Sequence, residues 1–154
     1  MTLEGRDYSI TNASSRIHGN GVDITARGLQ CSLQLPNVPL GELPNHENLV
    51  GRQWQPSPAD LNAWATDNDG GFIVIRDEEF VPHIASVCCV GYHEESNTLT
   101  FDMSFSGMFA NESELRSVEV RVECIFNSPP CPHCNHPLRS AAAKQCFTCG
   151  KSWR

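Results

Sequence analysis

The clearest strand pattern in the chain is Ser117-Val118-Glu119-Val120-Arg121-Val122-Glu123-Cys124-Ile125-Phe126. Three valines and a cysteine occupy alternate positions, and charged side chains fill the positions between them. Apolar and polar residues that alternate with a period of two are typical of a strand with one buried face and one face in water. The stretch therefore predicts a β-strand over residues 117–126 that contributes one face to a hydrophobic core.

Outward from this strand, shorter signals of the same kind predict several more strands. They lie at residues 8–11, 16–25, 28–35, 72–76, 84–92 and 98–105. Within 16–25, the stretch Gly19-Asn20-Gly21 suits the tight turn of a hairpin, because glycine and asparagine tolerate positive φ. Six or more strands with one short helix predict a mainly β fold, either an antiparallel β-sandwich or an open barrel.

The middle of the chain, residues 36–66, is predicted to hold a long loop followed by that helix. Residues 36–56 contain four prolines together with Asn and Gly, which predicts a long ordered loop or a surface arm that contacts another molecule. The helix is predicted near residues 58–66, because Ser57 suits the N-cap, Pro58 the first helical position and Asp60 the first turn. Its apolar face would consist of Leu61, Trp64 and Ala65.

Length and composition indicate a folded globular chain. The 154 residues are 40% hydrophobic and 19% charged, which excludes global disorder. No apolar run approaches the ~20 residues that a membrane helix needs, and residues 1–7 lack the apolar stretch of a signal peptide. Eight cysteines without an export signal indicate a reducing compartment, so we expect a cytoplasmic protein or a part of a particle assembled there.

The charge is distributed unevenly along the chain. Residues 1–130 carry 7 basic and 18 acidic side chains, a formal charge of −11, whereas residues 131–154 carry four basic side chains and no acid. An acidic body is not the footprint of a nucleic-acid-binding protein, which normally presents a basic face. The basic C-terminal segment is suited instead to acidic partners.

Four cysteines in that basic segment have the spacing of a metal site. The segment reads Cys131-Pro132-His133-Cys134 and, after eleven further residues, Cys146-Phe147-Thr148-Cys149-Gly150. Two thiolates separated by two residues can face one ion if the backbone turns tightly, and Gly150 and Asn135 supply tolerance of positive φ where such turns need it. The pattern predicts a tetrahedral site of four sulfurs, for which zinc is the preferred ion. Iron bound as in rubredoxin, or paired disulfides, are the alternatives.

Residues 131–151 resemble a zinc ribbon, a family whose two knuckles read CPxC and CxxCG. The resemblance implies one structural Zn²⁺ held by Cys131, Cys134, Cys146 and Cys149. Ribbons of the transcription-elongation type carry acidic residues at the hairpin tip, and this hairpin has none, so that activity is not implied. We expect a mainly antiparallel β domain over residues 1–128, for which no family is recognised, followed by the ribbon over residues 129–154.

The remaining cysteines are assigned to the core. Cys31, Cys124 and one member of the adjacent pair Cys88-Cys89 are predicted to be small buried residues. Neighbouring residues of a strand point to opposite faces, so Cys88 and Cys89 do not share an ion easily. A second metal site is a minor alternative, and its ligands would be His83, Cys89 and His93.

The sequence favours a role in binding over a role in catalysis. It contains no nucleophile elbow, phosphate loop or HExxH helix, and a zinc ion saturated by four thiolates has no open position for water. We therefore expect a non-enzymatic interaction or assembly protein, such as a component of a phage or secretion particle. Its ribbon would present a basic hairpin to a protein partner through Arg139, Lys144, Lys151 and Trp153. The alternatives are a nucleic-acid-binding regulatory protein that uses the ribbon, and a small enzyme with a site near residues 36–70.

Overall fold

The computed structural model describes residues 1–18, 21–40, 49–67, 71–93, 95–96, 98–126, 131–134, 138 and 144–153. Strands make up 59% of these residues, which confirms the predicted mainly β fold. In chain order the elements are β1 (Thr2–Leu3), β2 (Arg6–Asp7), β3 (Ile10–His18), β4 (Gly21–Gly28), β5 (Cys31–Val38), β6 (Gln53–Trp54), α1 (Pro58–Asp67), β7 (Phe72–Ile75), β8 (Glu78–His93), β9 (Thr98–Phe109) and β10 (Arg116–Phe126). None of the helical residues described here forms a segment long and apolar enough to cross a membrane.

Seven of the strands form a closed barrel. The order around it is β3, β4, β5, β7, β8, β9 and β10, and β10 then pairs with β3. This closing contact is parallel, with Ile125 opposite Ser14, whereas the other six contacts around the barrel are antiparallel. Three short strands lie outside this circle: β1 pairs with β10, β2 pairs with β1, and β6 pairs with β8.

The barrel is closed, which corrects the prediction of a β-sandwich or an open barrel. The alternation in each strand identifies its buried face, but it does not say which strand lies beside it. Here the last strand of the barrel reaches the first, more than a hundred residues earlier in the chain, and pairs with it in the parallel sense. A closed sheet has few free edges and encloses a single core, which removes the exposed strand edges that an open sheet would have to protect.

Strand β8 is much longer than the predicted strand at residues 84–92. It begins at Glu78, directly after a two-residue turn in which Arg76 and Asp77 have φ values of 54° and 64°. Positive φ at both turn residues gives a hairpin whose twist matches that of its strands. Pro82 and a β-bulge between Pro82 and Ile84 interrupt the alternation, so the sequence pattern does not show this first half of the strand.

The barrel interior confirms the predicted faces. On β10 the four apolar residues predicted to face inward are at most 3% exposed, and the charged residues between them lie in water. Cys31, Cys89 and Cys124 are buried as predicted, and Cys89 is the buried member of its pair, whereas Cys88 is half-buried. Burial raises the pKa of Cys89 to about 11 and that of Cys124 to about 12, so both remain neutral thiols at pH 7.

Helix α1 covers one side of the barrel and confirms the predicted helix near residues 58–66. Its first turn is capped as expected, because the Asp60 backbone N–H donates to the Ser57 Oγ at 3.2 Å, and that hydroxyl donates to the Asp60 carboxylate at 2.7 Å. Leu61 is buried, and the half-buried Trp64 donates from Nε1 to the Pro36 carbonyl at 3.0 Å. The ring of Trp54 lies 5.1 Å from that of Trp64.

The described parts of residues 36–56 pack on the barrel, which corrects the idea of a surface arm for those parts. Strand β5 continues to Val38, and β6 pairs with the middle of β8. Leu40, Leu49 and Trp54 are buried because their side chains extend the barrel core. Residues 41–48 lie outside the described residues.

One glycine allows two strands of the barrel to approach closely. Gly107 of β9 lies opposite Pro82, and a Cβ at this position would collide with the Val81 carbonyl oxygen and lie 2.8 Å from the Pro82 Cα. The backbone of β8 would have to shift to make room, so we expect Gly107→Ala to lower the free energy of unfolding by about 1–3 kcal/mol. Urea denaturation measures this loss.

Gly91 provides the matched control for that substitution. It lies in the neighbouring strand β8, where an added Cβ would meet the Thr100 side chain at 3.8 Å, an ordinary contact. Gly91→Ala should therefore be neutral or raise the stability by up to about 1 kcal/mol, because glycine loses more backbone entropy on folding. Equal losses at both positions would contradict the close approach at Gly107.

Candidate metal centre

Two tight turns in the C-terminal segment bring four cysteines together. Cys131 and Cys134 lie in the first turn, and Cys146 and Cys149 lie in the second. All four Sγ atoms are within 4.8 Å of one another. The Sγ of Cys131 is 3.8 Å from that of Cys149, and the Sγ of Cys134 is 3.6 Å from that of Cys146. Both contacts run between the two turns, so the two CxxC motifs face a common centre.

The spacing of these sulfurs fits a single four-coordinate ion. Four sulfurs placed about 2.3 Å from a zinc ion at the corners of a tetrahedron lie about 3.8 Å from one another. The two contacts between the turns are close to this value. A disulfide needs about 2.05 Å between its sulfurs, and all four cysteines are free. The four predicted ligands therefore form a cluster that could hold a metal ion.

Backbone amides point at the sulfurs and favour their thiolate form. The His133 N–H donates to the Cys131 Sγ at 3.3 Å. The N–H groups of Cys149 and Thr148, with the neighbouring cysteine thiols, lower the pKa of Cys146 to about 6. Hydrogen bonds of this kind stabilise negative charge on sulfur, which is the form that binds metals.

A short hairpin holds the second turn in place. Gly150 has a φ of +70°, as expected for the residue after the second cysteine of a knuckle, and its N–H donates to the Cys146 carbonyl at 2.8 Å. The Cys146 N–H donates to the Lys151 carbonyl at 2.9 Å, and the Trp153 N–H donates to the Lys144 carbonyl at 2.9 Å. These bonds make residues 144–153 a small β-hairpin, as in a ribbon. Asn135, the predicted counterpart of Gly150, lies outside the described residues.

The cluster has its own small hydrophobic core. Cys131, Leu138 and Cys146 are buried, and Trp153 packs against them half-buried. The Trp153 ring also lies 6.1 Å from the His133 ring in an edge-to-face arrangement. No residue of this core belongs to the barrel core, so the two sets of apolar contacts are separate among the described residues.

The structure gives the predicted partner-binding residues different environments. Lys144 and Lys151 are exposed, whereas Trp153 is half-buried against the cysteine cluster. The knuckle residue Phe147 is more accessible than Trp153, with 67% of its surface exposed. Arg139 lies outside the described residues.

The alternative site at His83, Cys89 and His93 does not form in the structure. Cys89 points into the barrel with no exposed surface, while both histidines are exposed. Among the described residues, the four C-terminal cysteines are the one group of His, Cys, Asp or Glu side chains close enough together to share a metal ion. Even numbers of residues separate both histidines from Cys89, but the register shifts between Pro82 and Ile84 and between Cys89 and Gly91 interrupt the alternation, so the histidines do not share the inward face of Cys89.

A groove of about 650 Å³ lies between α1 and the first half of β8. Its walls include Leu61, Trp64, Ala65, Phe80, Pro82 and Ile84. The sequence placed an alternative enzyme site near residues 36–70, and this groove includes part of that region. The ionisable side chains among its lining residues are Glu79 and His83. The wall of the groove that β8 contributes could not be predicted from the sequence, because Pro82 and the bulge after it interrupt the alternation of apolar and polar residues.

Comparisons with protein-family models, with curated proteins and with solved structures give no match for this chain. The likeness to a zinc ribbon therefore rests on the cysteine spacing, the hairpin of residues 144–153 and the clustering of the four sulfurs. No relative indicates what the barrel does, so its surface is the guide to its role.

Proposed function

We propose that Cys131, Cys134, Cys146 and Cys149 bind one structural Zn²⁺, and that the protein is a non-enzymatic interaction or assembly protein. The observation that supports this most strongly is the separation of 3.6–3.8 Å between sulfurs of the two turns. Zinc suits four thiolates in tetrahedral geometry better than the other common divalent ions do. The role assigned to the metal is to join the two turns, since four sulfurs leave no coordination position for a substrate.

The small size of the C-terminal segment supports a structural role for the metal. Among the residues that the structure describes, its hydrophobic core contains three buried residues, far fewer than an independent domain needs. Small metal-binding units of this kind obtain much of their folding free energy from the ion. Zinc would therefore convert a weakly stable segment into a rigid platform.

Charge supports a protein partner for that platform. Lys144 and Lys151 are exposed on the hairpin, and residues 131–154 contain no acid. Zinc and four thiolates together carry −2, which lowers the formal charge of the segment from +4 to about +2. The exposed Phe147 and the basic residues beside it would suit a partner protein whose surface has an apolar patch bordered by acidic side chains. A component of a larger particle, of the phage or secretion type, and a small regulatory adaptor both agree with this design.

Metal analysis tests the first part of the proposal. We expect about one equivalent of zinc per chain in protein purified without added chelator, measured by inductively coupled plasma mass spectrometry. One equivalent of iron would instead indicate a rubredoxin-like centre. Two equivalents of zinc would require a second set of ligands outside the cysteine cluster.

Oligonucleotide binding distinguishes the proposal from its main alternative. A segment with a charge of about +2 can make few contacts to phosphates, and the acidic barrel repels nucleic acid. We therefore expect no tight complex with mixed DNA or RNA at about 0.15 M salt. Fluorescence anisotropy across a salt series measures this. Sub-micromolar binding that falls steeply with salt and is lost in the Arg139/Lys144/Lys151→Ala variant, but kept in Arg27→Ala, would favour a nucleic-acid-binding protein.

A further inference from the structure

The two turns of the cysteine cluster each bury one sulfur and leave the other accessible to solvent. The first cysteine of each turn is buried, since Cys131 and Cys146 are each 2% exposed. The second cysteine of each turn, Cys134 or Cys149, is partly exposed. A cysteine held in the thiolate form is a nucleophile as well as a metal ligand, and its susceptibility to oxidation rises with its exposure. An oxidant in solution would therefore react first with Cys134 and Cys149.

Each of these accessible sulfurs lies beside a buried sulfur of the other turn. The Sγ of Cys134 is 3.6 Å from that of Cys146, and the Sγ of Cys149 is 3.8 Å from that of Cys131. The sulfurs of a disulfide are about 2.05 Å apart, so each pair would have to approach by less than about 2 Å to form one. The folded segment thus holds two pairs of sulfurs close to bonding distance, and both pairs join one turn to the other.

We infer that oxidation replaces the zinc of this centre with two disulfides, Cys134–Cys146 and Cys131–Cys149, and that these bonds keep the two turns joined. Zinc would hold the segment closed under reducing conditions, and the disulfides would hold it closed under oxidising conditions. The inference rests on the proposed function, because it concerns the regulation of the same zinc site. Its consequence is that redox conditions change the metal content of the segment without releasing its fold.

A peroxide is the class of oxidant that this reaction requires. The Cys134 thiolate attacks one oxygen of hydrogen peroxide, the O–O bond breaks, hydroxide leaves, and the sulfur becomes a sulfenic acid. The Cys146 thiolate then attacks that sulfur, the S–S bond forms, and a second hydroxide leaves. The same two steps join Cys149 to Cys131. In total, two molecules of hydrogen peroxide and four protons become four waters, four thiolates become two disulfides, and Zn²⁺ is released.

The barrel cysteines do not combine solvent access with an opposing sulfur. Cys89 and Cys124 are buried, and burial raises their pKa values so that they remain neutral thiols, which react slowly. Cys88 is half-buried, but the residues opposite it on the neighbouring strands are Gln53 and Asp102. Oxidation to disulfides is therefore expected in the C-terminal cluster rather than in the barrel.

Disulfides within each turn are the competing product. Bonds from Cys131 to Cys134 and from Cys146 to Cys149 would leave the two turns unconnected once the metal is lost. The small core around Leu138, as far as the structure describes it, is too small to hold the turns together without a cross-link. The two patterns of pairing therefore predict opposite fates for the segment.

Peptide mapping of the zinc-loaded full chain after treatment with hydrogen peroxide tests the inference. Trypsin cuts after Arg139 and after Lys144, so the two turns lie on separate peptides. We expect release of about one equivalent of zinc, measured with a colorimetric chelator, and one pair of peptides joined by two disulfides. Fragment spectra should assign these bonds to the pairs inferred above. Unlinked peptides that each contain an internal disulfide, or sulfinic acids as the main products, would overturn the inference.

Amide hydrogen exchange distinguishes a closed segment from a released one. In the oxidised chain, residues 144–153 should exchange at least about tenfold more slowly than in a chain stripped of zinc by a chelator and kept reduced. Dithiothreitol with one equivalent of zinc should return the oxidised chain to its original metal content. Equal exchange in the oxidised and stripped chains would overturn the inference, because the disulfides would then not hold the turns together.

Cys88→Ser is the matched control, and the zinc content before oxidation separates this inference from the proposed function. The variant removes a half-buried thiol outside the cluster, so it should release the same zinc and give the same pair of joined peptides. A chain that contains zinc, and that keeps both the metal and its four thiols in excess peroxide, would overturn the inference and leave the zinc site in place. A chain purified without any metal would refute the proposed function itself.

Discussion

Cys146→Ser is expected to abolish tight zinc binding and to loosen residues 131–153 while the barrel stays folded. Cys146 is buried at the centre of the cluster, and its sulfur receives backbone hydrogen bonds and contacts the Cys134 Sγ at 3.6 Å. Structural zinc contributes about 10–16 kcal/mol of apparent binding free energy in small zinc-finger peptides, and a serine hydroxyl is a poor replacement for a thiolate. Bound zinc should fall from about one equivalent to near zero after dialysis against a weak chelator.

Cys88→Ser is the matched control for this prediction. It makes the same atomic change at a half-buried cysteine of the barrel that lies outside the cluster, so the zinc content should not change. Amide hydrogen exchange should show faster exchange in residues 144–153 of Cys146→Ser and native protection in β8, β9 and β10. Loss of the far-ultraviolet β signal in Cys146→Ser would show instead that the barrel depends on the metal centre.

Phe101→Ala is expected to lower the free energy of unfolding by about 3–5 kcal/mol, a large part of the ~5–15 kcal/mol that keeps a typical domain folded. Phe101 has no exposed surface and lies in the middle of β9, between Cys89 of β8 and Val122 of β10. Truncation would leave a cavity at the centre of the barrel that the surrounding strands cannot close. Urea denaturation followed by fluorescence of Trp54 and Trp64 measures the loss.

Ile125→Ala tests whether this loss comes from the barrel interior. Ile125 lies near the end of β10, but its side chain points outward and is 59% exposed. Its truncation should change the stability by less than about 1 kcal/mol, since little apolar surface is returned to water. A similar loss in both variants would mean that the interior of the barrel is not the main source of stability.

The sequence by itself determined those features that depend on neighbouring residues. The alternation in residues 117–126 predicted both faces of β10, because side chains of a strand alternate whatever lies beside it. Ser57, Pro58 and Asp60 predicted the start of α1, because capping bonds span only three residues. The two CxxC motifs and Gly150 predicted the cysteine cluster, because a knuckle is a local turn around one ion.

Tertiary structure decided which strands became neighbours. The parallel contact of β10 with β3 closes the barrel and joins Ile125 to Ser14, and no pattern within either strand specifies the other. The extension of β8 through Pro82 and its bulge depends on support from β7 and β9. The groove between α1 and β8 exists because these two elements meet. Such pairings depend on the free energy of the whole arrangement, including the edges that closure removes, whereas turns, caps and metal knuckles depend on a few adjacent residues.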